Sequence, residues 1–490
     1  MSPHYPVLLV TVPLLSAFLI SAAGWLRKKL CFPIAVASLV ATLSFSVGLL
    51  LEVVSNGPVR YRLGNWPPPW GIAYFVDHLN ALVLTVVATV ALLNLISGKK
   101  AVDRDFSGKE GPFYTLYILF VTGLMGITVT GDAFNLYVLL EIASLTGYGL
   151  IAMGDPDRSP LASLNYLYMG TIGACFYLLG IGYLYILTGS LNMADIARLL
   201  PPLFHTRTLL AAFIICMVGV WLKMAFFPLH VWLPNAYTFA PSVASSLIAP
   251  LMTKVMIYVM IRLIFSVFSP DFAFSVAAMN TAVVWLAVIA IVMGGIMALT
   301  QRNLKKMLTY VIVAEVGYMV GGVWLGNRAG MTGAILHIAN DALMTLCVFM
   351  AVGNIVYRTG GYHFRDLKGL FRKMPFTMGA FVIGALSIIG APPTCGFFSK
   401  WYLISGAVAA GHYGFMVALL FSSLVNVVLF FWVIDIGDYD PFDAAHGEDA
   451  AGPVMAEAPL AMVVPLLLVA AGLVIVGLYT GDLVIHVVNP

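Results

Sequence analysis

The stretch VGVWLKMAFFPLHVWLPNAY, residues 218–237, places one lysine, Lys223, in an otherwise apolar run, with Pro228 and Pro234 close behind it. A segment of this kind has two readings. In water it is a core helix with an aberrant lysine. In a bilayer it is a spanning helix that breaks beside a charge, because proline removes a backbone hydrogen bond and kinks the helix. The surrounding chain decides between them. Of its 490 residues 61% are hydrophobic and 10% charged, and mean hydropathy is +0.97. A soluble domain would carry about a quarter charged residues. Apolar runs of spanning length recur from end to end, so the sequence describes a polytopic, all-α membrane protein.

The runs predict about fourteen spans: 5–25, 32–54, 74–98, 112–130, 132–153, 160–188, 207–227, 241–264, 273–299, 304–325, 331–357, 375–404, 408–434 and 459–480. The first has no charged segment before it and no convincing cleavage site, so it is expected to be a retained helix. Connections are short. The exceptions are the segment GNWPPPWGI (64–72), residues 189–206 and the acidic DIGDYDPFDAAHGEDA (435–450). A small hairpin near 57–65 is the only β-structure expected. The five cysteines are scattered without a C-x-x-C pair, which argues against a zinc, iron–sulfur or disulfide framework and for small packing residues.

Basic residues set the orientation. Loops that follow odd-numbered spans hold sixteen of the 25 Lys and Arg, including Arg302, Lys305 and Lys306; even-numbered loops hold six. The odd loops are expected at the cytoplasm and both termini outside, in a bacterial or archaeal cell (inner) membrane. Three basic residues remain, Lys223, Lys254 and Lys400. All are lysines inside predicted spans.

A charge at mid-bilayer costs roughly 2.5–3.5 kcal/mol on insertion scales, and such groups mark ion or proton paths. Lysine can give up a proton on burial, whereas arginine stays charged. The intramembrane acids are Glu141, Glu315 and Asp341. His337, Asp341 and Thr345 recur at i, i+4 and share a helix face. A histidine beside a carboxylate can titrate near neutrality. The proton-relay set read from these residues is Glu141, Lys223, Lys254, His337 and Lys400, with Glu315, Asp341, His230 and Thr345 as further members. A static ion pair is the alternative for each. Asp77 and Asp132 lie at helix starts, where capping accounts for them. Breaks are expected at Pro228 and Pro234 in the seventh span and at Pro392 and Pro393 in the twelfth. The acids Glu141 and Glu315 lie 174 residues apart, and Lys223 and Lys400 lie 177 apart. Five spans separate each pair, an odd number, so two repeated units would sit inverted in the membrane.

Four stretches carry a family resemblance: FNLYVLLEIASLTGYGLI, LKMAFFPLHVWLPNAYTFAPSVASSLIAPLMTKVMIYVMIR, QRNLKKMLTYVIVAEVGYM and GAPPTCGFFSKWYL. They resemble the antiporter-like, proton-conducting membrane subunits shared by complex I, membrane-bound hydrogenases and Mrp antiporters. GSLNMADIA and RDLKGLFRKMPFTMGAFVIGALSIIGAPPT look closest to the D-type subunit of Mrp antiporters. The resemblance implies fourteen helices with two inverted five-helix repeats (helices 4–8 and 9–13) and a hydrated midplane axis. It divides the chain into N-terminal helices (1–111), a first repeat (112–264), a second repeat (265–434) and an acidic loop with the last helix (435–490). By position Glu141 and Lys223 match the family's Glu–Lys pair, Lys254 its central lysine, His337 its eleventh-helix histidine and Lys400 the lysine or glutamate of the second broken helix. Where the family often has a further histidine and a lysine, this chain has Asp341 and Thr345.

The resemblance implies a subunit that moves H+, with exchange for Na+ left open, among other membrane subunits of an Mrp-like, hydrogenase-like or complex I-like assembly. A pumping arm of a redox-driven NADH:quinone oxidoreductase-like complex and a stand-alone secondary transporter are the alternatives. No cofactor, metal or nucleic acid is expected on this chain; lipid is its surroundings.

Overall fold

The computed structural model describes residues 4–438 and 456–488. Most of the acidic segment 435–450 therefore lies outside the described residues. Spanning helices are numbered here in chain order. The first six are α1 (Tyr5–Leu26), α2 (Cys31–Asn56), α3 (His78–Asp105), α4 (Glu110–Val129), α5 (Ala133–Ala152) and α6 (Ser159–Thr188). Then α7 comes in two pieces, α7a (Arg207–Lys223) and α7b (Leu233–Phe239), followed by α8 (Ser242–Arg262), α9 (Asn280–Leu299), α10 (Leu304–Trp324) and α11 (Arg328–Thr359). The twelfth is again split, α12a (Pro375–Ile389) and α12b (Cys395–Ala409), before α13 (Tyr413–Asp438) and α14 (Leu460–Leu478). Among the described residues, twelve unbroken helices are long and apolar enough to cross a membrane. With the two broken ones, the number matches the sequence-based expectation.

Three boundaries differ from the reading of hydropathy. The seventh span stops at Lys223 rather than at 227, because Ala225 adopts a left-handed conformation (φ 59°) that a helix cannot continue through. The ninth begins at Asn280 rather than at 273; two wide-turn segments, Leu263–Phe268 and Asp271–Val276, precede it. The hairpin pairs Val59–Arg62 with Ala73–Val76 in antiparallel register, so the Pro/Trp-rich segment forms its connection instead of following it.

Burial grades across the bundle. In α8, α10 and α11 most of each helix is covered by protein, whereas only about a third of α1 and α2 is buried. A helix apolar on every side is what a membrane interior permits. The central trio carries Lys254, Glu315, His337 and Asp341, so the charged residues sit where lipid is excluded.

One local arrangement occurs twice. Asp132 caps α5 and bridges to Asn192; Asn303 caps α10 and bridges to His363. Around the first bridge, Ala133 N donates to Leu191 O and Met193 N to Gly131 O, both at 2.9 Å. Around the second, Leu304 N donates to Tyr362 O (2.9 Å) and Phe364 N to Arg302 O (3.2 Å). Every one of these residues is displaced by 171 positions from its counterpart, as in Asp132 to Asn303 and Asn192 to His363. The preceding turns match too. Gly189 and Gly360 are left-handed (φ 69° and 74°), and Thr188 and Thr359 each cap their turn through the side-chain oxygen. Since α5 and α10 start five spans apart, the two arrangements lie at opposite membrane faces.

Candidate functional site

Lys223 is the last residue of α7a, and that position answers why an ammonium stands in an apolar run. A helix C-terminus carries partial negative charge and unpaired carbonyls, so a cation there is favourable. The side chain is 1% exposed. Its Nζ donates to Ser144 Oγ at 2.7 Å and lies 3.5 Å from Glu141 Oε1. Both partners come from α5, three residues apart on one face. The freed Leu222 carbonyl accepts from Trp232 Nε1 at 3.1 Å, which ties the two halves of α7 across the break. Glu141 keeps 24% of its side chain exposed at the bundle surface.

Lys254 forms the second pair. Its Nζ is 2.8 Å from Asp341 Oδ2, and the two side chains are 2% and 1% exposed. The amine also donates to Ala249 O at 3.3 Å. Thr345 Oγ1 donates to the other Asp341 oxygen at 2.8 Å. The i, i+4 spacing of Asp341 and Thr345 therefore yields a contact. The same spacing does not make Asp341 the partner of His337. That histidine bonds Glu315 through Nε2, from the neighbouring α10, and Ser399 Oγ through Nδ1 at 2.8 Å. Both members of the Glu315–His337 pair are fully buried.

Lys400 differs from Lys223 in placement. It follows its helix break instead of preceding it, and reaches back to the end of α12a, donating to Ile388 O at 2.6 Å and Ile389 O at 3.4 Å. Ser423 Oγ accepts at 3.3 Å, and the ammonium lies 5.0 Å from the Tyr318 ring centre. Tyr318 in turn packs against the His337 ring and donates to Ser422 Oγ at 2.5 Å. An ammonium over an aromatic face is stabilised by the ring quadrupole.

The breaks fall where the prolines place them. Pro228 lies between α7a and α7b and Pro234 in the first turn of α7b; Pro392 and Pro393 lie between α12a and α12b. His230 sits in the first break, 4% exposed, stacked on Phe227. It joins none of the pairs above.

One position needs correction. The basic-residue count places Lys305 in a loop, but the structure buries it to 3% exposure in the first turn of α10. Its Nζ donates to Ala240 O at 2.9 Å, at the C-terminus of α7b. The signal was in the sequence: the tenth predicted span, 304–325, already contains Lys305, which therefore begins an apolar helix instead of ending a polar loop. Sequence reasoning also passed over the hydroxyl partners Ser144, Ser399, Ser422 and Ser423. Ser144, three residues after Glu141, was findable from helical spacing; Ser399, which bonds His337 from another helix, and Ser422 and Ser423 were not.

The arrangement thus holds three acid–base pairs and Lys400 on α5, α7, α8, α10, α11 and α12, all buried except the partly exposed Glu141, and each with a hydroxyl group bonded to one of its members. Hydroxyls and imidazoles both donate and accept hydrogen bonds, so the set can pass protons as well as hold charge.

Comparison with known proteins agrees with this architecture. Over its full length the chain is 41% identical to the N subunit of the NADH-quinone oxidoreductase of Desulforudis audaxviator, covering 98% of that protein. It is 30% identical to the D subunit of the Na(+)/H(+) antiporter of Alkalihalophilus pseudofirmus across 86% of this chain and 87% of the relative. Its fold superposes on a chain of the membrane-bound sulfane sulfur reductase, an archaeal respiratory membrane complex, with a TM-score of 0.90, 28% identity and coverage of 99% and 96%. The NADH:quinone oxidoreductase/Mrp antiporter transmembrane family model matches residues 130–426, which contain all the pairs just described, and the chain belongs to that family.

Proposed function

We propose that this chain is the proton-translocating, antiporter-like subunit of a multisubunit complex in the cell membrane. The observation that carries the reading is the set of pairs Glu141–Lys223, Lys254–Asp341 and Glu315–His337, buried except for the partly exposed Glu141, together with the buried Lys400. Buried pairs of this kind are seldom retained for stability, since well-packed apolar residues of similar volume often serve as well or better. A transport path gives them a reason to persist.

In this reading Glu141 and Lys223 form the entry pair. Displacing the carboxylate leaves the Lys223 ammonium without a countercharge, and its proton moves on toward Lys254. Asp341 holds Lys254, and Thr345 orients Asp341. The second half runs from His337 with Glu315 to Lys400. The regions 112–264 and 265–434 serve as two half-channels, with helix breaks at Pro228, Pro234, Pro392 and Pro393 opening them to water. His230 stands at the first break. The loops rich in Lys and Arg face the cytoplasm, and both termini lie outside.

The partners are other membrane subunits. Glu141 supports this, since a carboxylate partly exposed on an apolar surface calls for cover by protein. The relative named as an oxidoreductase subunit and the respiratory complex of the structural match favour a redox-driven parent complex. The relative named as an antiporter subunit favours H+ exchange with Na+. The test is a Lys223→Ala chain assembled in its native complex and assayed for proton movement in inverted vesicles. Loss of movement with intact assembly supports the proposal; undiminished movement rejects it. Co-purifying flavin or iron–sulfur subunits would select the redox parent, and small membrane subunits alone the antiporter.

A further inference from the structure

The arrangement that recurs at a displacement of 171 residues encloses a cleft at each membrane face, and the two clefts differ in what fills them. At the α5 face the cleft is about 210 Å³, lined by Gly131, Asn192, Met193 and Ala194, with Tyr258 and Arg262 from the end of α8. The hairpin covers it with Arg60, Tyr61, Arg62, Tyr74 and Phe75, and Arg262 is paired there with Asp77. At the α10 face the cleft is about 470 Å³, lined by Arg302, His363, Phe364, Arg365, Lys368 and Trp432 together with the end of α13. Its lining contains nothing, among the described residues, in the place of the hairpin.

The exchange of side chains is directional. Gly131, Ala194 and Ala197 on one face become Arg302, Arg365 and Lys368 on the other. The backbone bonds of the motif are the same in both copies, so the motif does not need the cations in order to fold. A general excess of positive charge at the cytoplasmic face explains which side they occupy. Each cleft is lined by three cations, but at the α5 face two belong to the covering hairpin and the third, Arg262, is paired with Asp77. Arg302, Arg365 and Lys368 instead come from the repeated motif and the residues just after it, and meet at one hollow beside the edge-to-face pair Phe364–Trp432 (ring centres 4.9 Å). Among the described residues, the acid paired with the group is Asp366, 3.6 Å from Arg365, with its other oxygen taken by the His363 N–H at 2.9 Å.

We propose that this cleft binds the phosphate of an anionic phospholipid headgroup. Arg302, Arg365 and Lys368 supply the charge, and Trp432 sits at the level where tryptophan anchors to the membrane interface. The cleft opens at the end of the spanning α13, so an acyl chain can lie along that helix while the headgroup fills the space that the hairpin fills on the opposite face. The proposal is independent of the transport reading.

The experiment uses the full chain in its native complex, placed in phosphatidylcholine nanodiscs doped with a photoactivatable phosphatidylglycerol, with labelled peptides mapped by mass spectrometry. Labelling is expected over 362–373 and 428–438. It should fall about fivefold for each of Arg302→Gln, Arg365→Gln and Lys368→Gln, as expected for a cation near an anionic lipid surface, and the phosphatidylcholine analogue should label at background. These cations are exposed, so each single variant is expected to fold and assemble. Equal labelling of wild type and variants would overturn the proposal. So would an equal fall in a control carrying Lys29→Gln, Lys100→Gln and Lys109→Gln at the same face, which would reduce the effect to the general field. Complete competition by millimolar inorganic phosphate would reassign the site to the free ion. An acidic protein segment captured in the cleft in place of lipid would also reject it.

Discussion

Lys254 and Asp341, 87 positions apart in sequence, meet at 2.8 Å in the most enclosed part of the bundle. Neither has another charged partner within bonding distance among the described residues. Each is therefore the other's countercharge, and removing one leaves the second buried and unpaired.

That dependence separates a structural pair from a relay. Asp341→Asn should lower stability by about 3–5 kcal/mol, the usual cost of leaving a buried charge without its partner. The double change Lys254→Met with Asp341→Leu should recover most of that loss. If the pair carries protons, the double variant should be stable and inactive. Thermal unfolding of the purified complex and proton uptake by vesicles read the two effects separately.

Lys223→Arg tests proton release against charge. Arginine keeps the cation beside Glu141 and Ser144 but does not deprotonate in proteins. The variant should assemble and yet fall about a hundredfold or more in transport, the order lost with an acid–base group. Wild-type rates in this variant would mean that Lys223 supplies charge alone.

Glu315 and His337 should behave as one unit. In a double-mutant cycle with Glu315→Gln and His337→Gln, the interaction energy should reach about 0.5–3 kcal/mol, the range for residues within one network. Additive losses would show that the contact carries no coupling. The cycle is read from unfolding midpoints at fixed detergent and lipid.

Lys305→Met should loosen α7b. The ammonium stands at that helix's C-terminus, where a partly buried cation contributes up to about 2 kcal/mol. Proteolytic cleavage or hydrogen exchange at residues 233–240 should rise relative to α8. Unchanged protection would mean that Lys305 contributes by packing alone.

Asp132 gives a pH test outside the spanning segments. Burial pushes its carboxyl above the ordinary value, against the pull of the Asn135 and Phe134 N–H groups. A carboxyl raised in the folded state makes folding more favourable as pH falls, and its penalty is full once pH exceeds the raised value. Asp132→Asn keeps a good N-cap and removes the ionisable group. It should therefore stabilise at neutral pH, with the gain vanishing below the ordinary carboxylate range. A gain independent of pH would assign the effect to packing.

Much of this molecule was legible before any coordinates. Hydropathy and helix length alone determined the number of spans and the membrane as solvent. Helix-breaking prolines located both interruptions, and the cost of charge in lipid singled out Glu141, Lys223, Lys254 and Lys400. Local spacing also linked Asp341 to Thr345, since i, i+4 contacts follow from helix geometry.

What needed the tertiary structure was the choice of partners between helices. Periodicity fixes the face a residue occupies on its own helix, and says nothing about which distant helix meets that face. So His337 bonds Glu315 and not its sequence neighbour Asp341, and Asp341 goes instead to Lys254. For Lys305 the predicted span 304–325 put it on a helix, but its burial and its bond to Ala240 come from the packing of α10 against α7b, a contact between distant segments. The sequence alone determined which residues had to be accommodated inside the membrane. Only the packing of helices decided how each charge found its partner, because that depends on contacts between segments far apart in the chain.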